Sequence, residues 1–443
     1  GFINKELRIE EINSCLEFPE YRRFRKWLKR KQKNEADIED YFLNNYLFSL
    51  LTEADKLDAS NTPVYTRQKL TKDSVDRFIP FIKINDLPVL NEINDQNSLR
   101  NYARACVVEQ LNDPGIIHDK LFTLTAPTGI GKTLTSLDFA LKLKAKISDE
   151  EKREAQIIYG LPFINIIEQA YDVYVNQVFH HEVKTEQVNI LAHYQYADVF
   201  GNNKEKEEIA YQQKVMQLDT WQSDIVITSF VQFFETLISN RNKVLKKFNH
   251  FAGSIIILDE VQTLKLDLMP LIGASLYFLT RFLDARIILM TATQPKIFDL
   301  AQRLILDEEN ETAKVRELLP AHEKIFKKFQ RTKIVSLINN EINNEEFIAL
   351  FLDYWNEKKS CLIVCNTVQR SLNIYDEIVA NFQKNDIDNP VYYLSTNIIP
   401  VKRKEVVQLI KKDLSQNKNP VLITTQVVEA GVDLDFDMGF RDI

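Results

Sequence analysis

Glycine, cysteine and histidine are all scarce in this chain of 443 residues, which carries ten, four and six of them. So few glycines, with thirteen prolines beside 45% hydrophobic and 27% charged residues, exclude a collagen-like, low-complexity or largely disordered polypeptide. Four cysteines cannot build a disulfide framework, which points to a reducing compartment such as the cytoplasm. Cys361 and Cys365 flank Leu-Ile-Val in a run that reads as a buried strand, so they are expected to pack in a core. No histidine precedes His118, and neither His180 and His181 nor His193 has paired carboxylates at ligand spacing, so all three read as structural. Long apolar runs are also missing. The longest, such as Ser254 to Leu258 and Arg286 to Met290, are strand-sized and far below the roughly 18 residues of a membrane span, so no membrane partner is expected. No secretory leader pattern opens the chain. Lys and Arg number 56 against 63 Asp and Glu, a formal charge of −7. With no global positive field, a nucleic-acid role requires a local path.

What is present is enough chain for about three domains of ~100–200 residues each. Residues 1–60 read as a helical segment, with Arg22, Arg23, Arg25, Lys26, Lys29, Arg30, Lys31 and Lys33 around Trp27 as a solvated basic face. Residues 61–97 read as a polar linker. From there short β-branched runs alternate with helix-length segments: Lys120 to Thr125, Ala155 to Tyr159, Ile225 to Thr228, Ser254 to Leu258 and Ile287 to Met290. The rhythm restarts with Lys333 to Leu337, Cys361 to Cys365, Val391 to Leu394 and Val421 to Thr424. Continuous apolar strands between helices are the pattern of parallel sheets covered on both faces. The expectation is therefore an α/β chain with two tandem parallel-sheet domains, 98–320 and 321–443, after the helical segment. Gly201 to Glu208 reads as an exposed insertion.

Two segments carry chemistry. Ala126-Pro-Thr128-Gly129-Ile-Gly131-Lys132-Thr133 follows an apolar strand and precedes a helical run, and it departs from GxxxxGK[ST] only at Ala126. Gly129 and Gly131 let successive N–H groups, with that of Thr128, face a phosphate, and the helix N-terminus adds positive potential. Lys132 supplies charge to β- and γ-phosphates, and the Thr133 hydroxyl can ligate Mg²⁺, so ATP and Mg²⁺ are the expected cofactors. Ile255 to Leu258 runs into Asp259-Glu260, an acidic pair at a strand's carboxyl end. There Asp259 can hold the metal, while Glu260 positions or deprotonates the attacking water. Lys132, Asp259 and Glu260 are the candidate catalytic residues. Met290-Thr291-Ala292-Thr293 closes the next strand, where its hydroxyls could report the nucleotide state.

In this order the segments resemble motifs I, II and III of superfamily 2 helicases, whose fold is two RecA-like (P-loop) domains. Tyr159-Gly-Leu-Pro162-Phe163-Ile-Asn165-Ile-Ile-Glu-Gln169 is similar to motif Ia and Asp224 to Phe230 to motif Ic. Val364-Cys-Asn366-Thr367-Val368 is similar to motif IV, and Thr424-Thr425-Gln426-Val-Val-Glu429-Ala-Gly431-Val-Asp433 to motif V. The wording as a whole resembles the CRISPR-associated helicase-nuclease of type I interference systems. That resemblance implies ATP-driven 3′ to 5′ movement on single-stranded DNA and partnership with the CRISPR RNA-guided surveillance complex. It also implies contacts to the strand from Asn165, Thr228, Ser229, Thr367 and Thr425, and nucleotide contacts from Gly431 and Asp433. A different superfamily 2 DNA or RNA helicase, or a nucleotide-dependent binding subunit without turnover, stays open beside it.

Upstream, Leu47 to Asp58 resembles the last metal-ligand segment of the family's HD nuclease domain, where Asp55 would be a ligand. Without histidines before His118, Asp55 cannot complete a di-metal site, and a divalent transition metal is expected only with a complete HD domain. No Gln stands where the adenine-reading motif would place one, and Arg100 is the candidate for stacking on the base. Motif VI, with its arginine finger, has no counterpart in the sequence, so the 443 residues are expected to bind ATP and hydrolyse it poorly. Gly1 in place of Met, and a second α/β unit ending at Ile443, read as a fragment.

Overall fold

The computed structural model describes residues 38–193, 206–239, 241–293, 296–306, 313–329, 333–337, 341–428 and 434–442. Seven strands form the first sheet: β1 Leu121–Thr125, β2 Ile157–Leu161, β3 Ile190–His193, β4 Ile225–Ser229, β5 Ile255–Leu258, β6 Arg286–Thr291 and β7 Val315–Glu317. They are parallel throughout in the order β3-β4-β2-β5-β6-β1-β7. The second sheet is parallel as well, in the order β11-β8-β10-β9, from β8 Cys361–Val364, β9 Val391–Leu394, β10 Val421–Thr424 and β11 Met438–Arg441.

Alternation along the strands divides the first domain into two cores. Ile255 and Ile257 of β5 belong to one cluster and Ile256 and Leu258 to the other, all fully buried. A strand apolar on both faces needs helices on both sides, and each such buried side chain stabilises the fold by ~1.5–3 kcal/mol. Helix α1 (Ile38–Ala59) contributes Phe42 to the second cluster. Helices α2 (Gln96–Glu109) and α3 (Lys132–Glu151) cover the first face through Leu99, Val107, Phe139 and Leu143. Helix α4 (Ile164–Asp172) follows β2 on that side through Ile167. Helices α5 (Phe230–Ile238), α6 (Met269–Phe282) and α7 (Ile297–Leu304) cover the other face. In the second domain α8 (Asn344–Tyr354) starts on a capping box between Asn343 and Glu346. Helix α9 (Val368–Lys384) is capped by Thr367, and α10 (Pro400–Ser415) opens with proline in its first turn.

Several expectations need adjusting. Lys333 to Leu337, read as a strand, forms no ladder; Ile334 is 91% exposed, so apolar composition alone has not drawn it into a sheet. Residues 61–97, read as a linker, lie against the first sheet, with Leu70, Val75, Leu90 and Ile93 buried in its core. Phe329 joins the same core. Cys361 and Cys365 are buried beside Ile363 in the second domain, where burial raises both thiols well above their ordinary value. The basic run Arg22 to Lys33 lies outside the described residues, as does most of Gly201 to Glu208.

Helix α1 reaches the first domain by a buried polar contact. Glu53, 6% exposed, accepts from Gln222 and Asn249 and lies 2.8 Å from His250 Nε2, while His250 Nδ1 is 2.8 Å from Arg67. Close by, Asp224 accepts hydrogen bonds from the backbone N–H of Gln68 (2.7 Å) and Asn189 (2.9 Å) and from the Tyr65 hydroxyl (2.6 Å). These contacts fasten α1 and residues 65–68 at the amino ends of the strands, the edge opposite the chemistry below.

Candidate active site

At the carboxyl edge, β1 ends at Thr125 and the chain turns into α3 through residues 126–131. Gly129 (φ 82°) and Gly131 (φ 95°) are both left-handed, a conformation open to glycine at little cost. The loop is held at both ends. Ala126 N donates to Thr291 O (3.1 Å), and Arg100 Nε of α2 donates to Gly129 O (2.9 Å). Beneath it, Glu317 of β7 accepts from Thr125 N (3.1 Å), Thr125 Oγ1 (2.7 Å) and Thr123 Oγ1 (2.9 Å). Arg100, expected to stack on a base, is thus engaged in bracing the loop, and its guanidinium also donates to Asn97 (3.0 Å).

Asp259 and Glu260 extend from β5 beside this loop. Glu260 adopts a left-handed φ of 54°, a strained corner for a side chain with a Cβ that costs ~1–3 kcal/mol. Asp259 is 5% exposed; its Oδ2 accepts from Tyr159 (2.8 Å) and its Oδ1 from Glu260 N (2.8 Å). Burial pushes its carboxyl up to about 6, with the Lys132 cation pulling back down and the Glu260 charge adding to the rise. Lys132 Nζ sits 3.5 Å from Glu260 Oε1 and 3.4 Å from Ala126 O. Gln262 donates to Glu260 and lies 2.8 Å from Thr291 Oγ1, which accepts from Thr293 N (3.0 Å). A hydrogen-bonded series therefore joins the phosphate loop, the acidic pair and the end of β6.

Lys132, Asp259 and Glu260 line a cavity of about 460 Å³ with Thr128, Thr133, Ile79 and Arg104. Arg104, buried, donates to Asp138 (2.8 Å) and Ile79 O (2.7 Å) and pairs with Asp76. A glycine-bearing loop, a lysine and a helix start suit a polyphosphate. The hydroxyl of Thr133 and the buried carboxylate of Asp259 are hard oxygen donors at one point of the wall, the donor chemistry Mg²⁺ requires. A divalent cation there would also offset the cost of burying the Asp259 charge.

The strand-contact candidates separate. Asn165 opens α4 and is part-exposed; Thr367 is exposed and caps α9 by accepting from Arg370 N (3.2 Å). Ser229 caps α5 by accepting from Gln232 N (3.2 Å). Thr425 is 6% exposed with a hydroxyl that has no hydrogen-bond partner among the described residues. Thr228 must be withdrawn: it is fully buried and donates its hydroxyl to His193 O (2.9 Å), clamping β4 to β3. Gly431 and Asp433 lie outside the described residues. Asp55 is exposed on α1 beside Lys56 (3.2 Å), and no three His, Cys, Asp or Glu side chains gather at a metal-binding point among the described residues. A transition-metal centre at Asp55 does not fit the residues present. His193 accepts from Trp221 Nε1 (3.0 Å), in keeping with a structural role.

Sequence reasoning assigned no role to the side chains of Tyr159, Gln262 and Glu317. The signal for Tyr159 was a lone phenol in an otherwise aliphatic strand; for Glu317, in a three-residue strand, there was none.

The DEAD/DEAH box helicase family model matches residues 108–301, and the model of the CRISPR-associated nuclease/helicase Cas3 C-terminal region matches residues 357–443. The chain is 25% identical to the CRISPR-associated nuclease/helicase Cas3 of Haloferax volcanii, an alignment spanning 90% of this chain and 51% of that protein. It is 27% identical to the Cas3 of Methanothermobacter thermautotrophicus, over 73% of this chain and 36% of that one. It thus spans about half or less of the length of these curated relatives. The crystal structure of T. fusca Cas3 shares the fold with a TM-score of 0.60 at 15% identity, covering 83% of this chain and 44% of that one. A chain of the CRISPR RNA-guided surveillance complex, pre-nicking, does so with a TM-score of 0.51 at 18% identity, covering 76% and 39%. Two parallel-sheet domains, a phosphate loop facing an acidic pair, and these two family matches agree in supporting a helicase similar to Cas3.

Proposed function

We propose that this chain is the ATP-driven motor portion of a CRISPR-associated helicase, moving along single-stranded DNA in the 3′ to 5′ direction to expose it for a nuclease. The observation that carries the reading is Lys132, at 3.5 Å from Glu260, in a cavity walled by Gly129, Gly131, Thr133 and Asp259. When polyphosphate fills the loop, Lys132 turns from Ala126 O and Glu260 to the β- and γ-oxygens. That frees the Glu260 carboxylate to accept a proton from the attacking water. The Thr133 hydroxyl and the Asp259 carboxylate would hold Mg²⁺, whose charge would offset that of the phosphates. Gln262 and Thr291 carry the change at Glu260 to the end of β6, and hence toward Thr293.

DNA contacts from Asn165 and Ser229 at the carboxyl edge of the first sheet, and from Thr367 and Thr425 at that of the second, would complete the motor. Its partner would be an RNA-guided surveillance complex, a reading supported by the similarity to Cas3 relatives. Glu260→Gln should retain ATP affinity while hydrolysis falls by about 10²–10⁴-fold, and Lys132→Ala should lose binding itself. ATPase assays with single-stranded DNA and with RNA decide the substrate. Stimulation by RNA alone would favour a different superfamily 2 helicase, and function surviving Glu260→Gln intact would favour a binding subunit without turnover.

A further inference from the structure

Tyr159 is the one phenol in β2, and its ring is fully buried directly beneath the acidic pair. Its hydroxyl donates to Asp259 Oδ2 at 2.8 Å, and the Thr133 side chain acts on the same phenol. The two groups suited to Mg²⁺ therefore share one partner, held on a strand rather than on a loop. The β2–β5 register sets Tyr159 opposite Ile257, and Asp259 N donates to Gly160 O (3.0 Å), so the phenol and the carboxylate are tied through the backbone as well.

The ring is fixed from the other side by Tyr174, parallel within 5° at a centroid distance of 5.7 Å. Tyr174 lies on a π-helical turn, Val173–Val178, that continues α4, and is itself fully buried. Such turns insert an extra residue into a helix and recur at functional sites. Here the turn delivers a second aromatic ring to the underside of the metal-binding pair.

We infer that Tyr159 is a positioning residue for the Mg²⁺ of MgATP: its hydroxyl orients the Asp259 carboxylate and the Thr133 hydroxyl toward the cation. It touches neither the nucleotide nor the reacting atoms. Hydrogen-bond partners behind a metal ligand fix the direction of its lone pairs, and losing one typically lowers metal affinity by 10–100-fold. The inference rests on the ATP reading above, and the test separates the two.

A fluorescent ATP analogue is titrated into the full chain in EDTA and again across a MgCl₂ series. Tyr159→Phe removes only the hydroxyl. It should bind the analogue in EDTA as the parent does, but need about 10-fold more Mg²⁺ for half-maximal tightening. A Tyr159→Phe curve superimposing on the parent's in MgCl₂ overturns the inference while leaving ATP binding intact; a parent that binds no analogue overturns the functional reading instead. Should Tyr159→Phe bind poorly even in EDTA, the cycle with Asp259→Asn decides. If Tyr159 acts through Asp259, adding Tyr159→Phe to Asp259→Asn costs no further Mg²⁺ response, whereas additive losses refute it.

Discussion

His193 shows how one side chain ties this fold to pH. It ends β3, its Nδ1 accepts from Trp221 Nε1 at 3.0 Å, and burial together with the Lys247 cation pulls its pKa down to about 3. An acceptor nitrogen carries no proton, so protonation of His193 removes the Trp221 hydrogen bond. The folded value lies below the ordinary 6.5, so the folded chain binds fewer protons than the unfolded chain between those limits. Stability is therefore retained above pH 6.5 and falls as pH drops through the window toward 3. His193→Gln removes the titrating group and should lessen the loss between pH 7.5 and pH 5 by about 1–2 kcal/mol. Urea midpoints of both proteins at the two pH values measure it, and equal losses would show that His193 does not set the acid limb. A urea midpoint at pH 7.5 for Glu317→Gln, whose carboxylate holds Thr123 and Thr125 under the phosphate loop, should show a loss of about 1–3 kcal/mol.

Helix α1 poses its question two residues apart. Asp55, singled out by family resemblance, is exposed beside Lys56, whereas Glu53 is buried against Gln222, Asn249 and His250. Glu53→Ala strands those three partners and should cost about 1–3 kcal/mol, while Asp55→Ala should stay within about 0.5 kcal/mol. Equal effects in chemical denaturation would contradict the docking of α1 through Glu53. The contrast marks what a sequence can reveal. Strands β1, β2, β4, β5 and β6 were legible because both faces are buried and their runs are predominantly apolar. Strands β3, β7 and β11 were not, being short and carrying His193, Glu317 and Arg441 among their residues. Lys333 to Leu337 has strand composition and no partner strand among the described residues, because pairing is decided by distant segments. In the site, the phosphate loop and the acidic pair were legible because their chemistry requires fixed residue types at fixed spacing. Tyr159 and Gln262 act by where the sheet sets them, across a strand register or a turn, which spacing along the chain does not encode.

The net charge of −7 bears on how the whole molecule would hold a nucleic acid strand. Asn165 and Ser229 stand at the carboxyl edge of the first sheet and Thr367 and Thr425 at that of the second, and all four offer amide or hydroxyl groups rather than cations. The two domains also meet through an ion pair, Lys404 of α10 with Glu168 of α4 at 2.8 Å, which engages a lysine and an acid on the helix that carries Asn165. Binding by neutral donors releases few counterions, because only neutralised phosphates displace them. The dependence of log affinity on log salt for single-stranded DNA should therefore be shallow, with a slope no steeper than about −2, corresponding to roughly three neutralised phosphates. Fluorescence anisotropy of a labelled oligonucleotide across a KCl series measures it. A slope near −5 would mean about seven phosphates neutralised by Lys and Arg, and would relocate the strand from these hydroxyl and amide groups to a basic surface elsewhere on the chain.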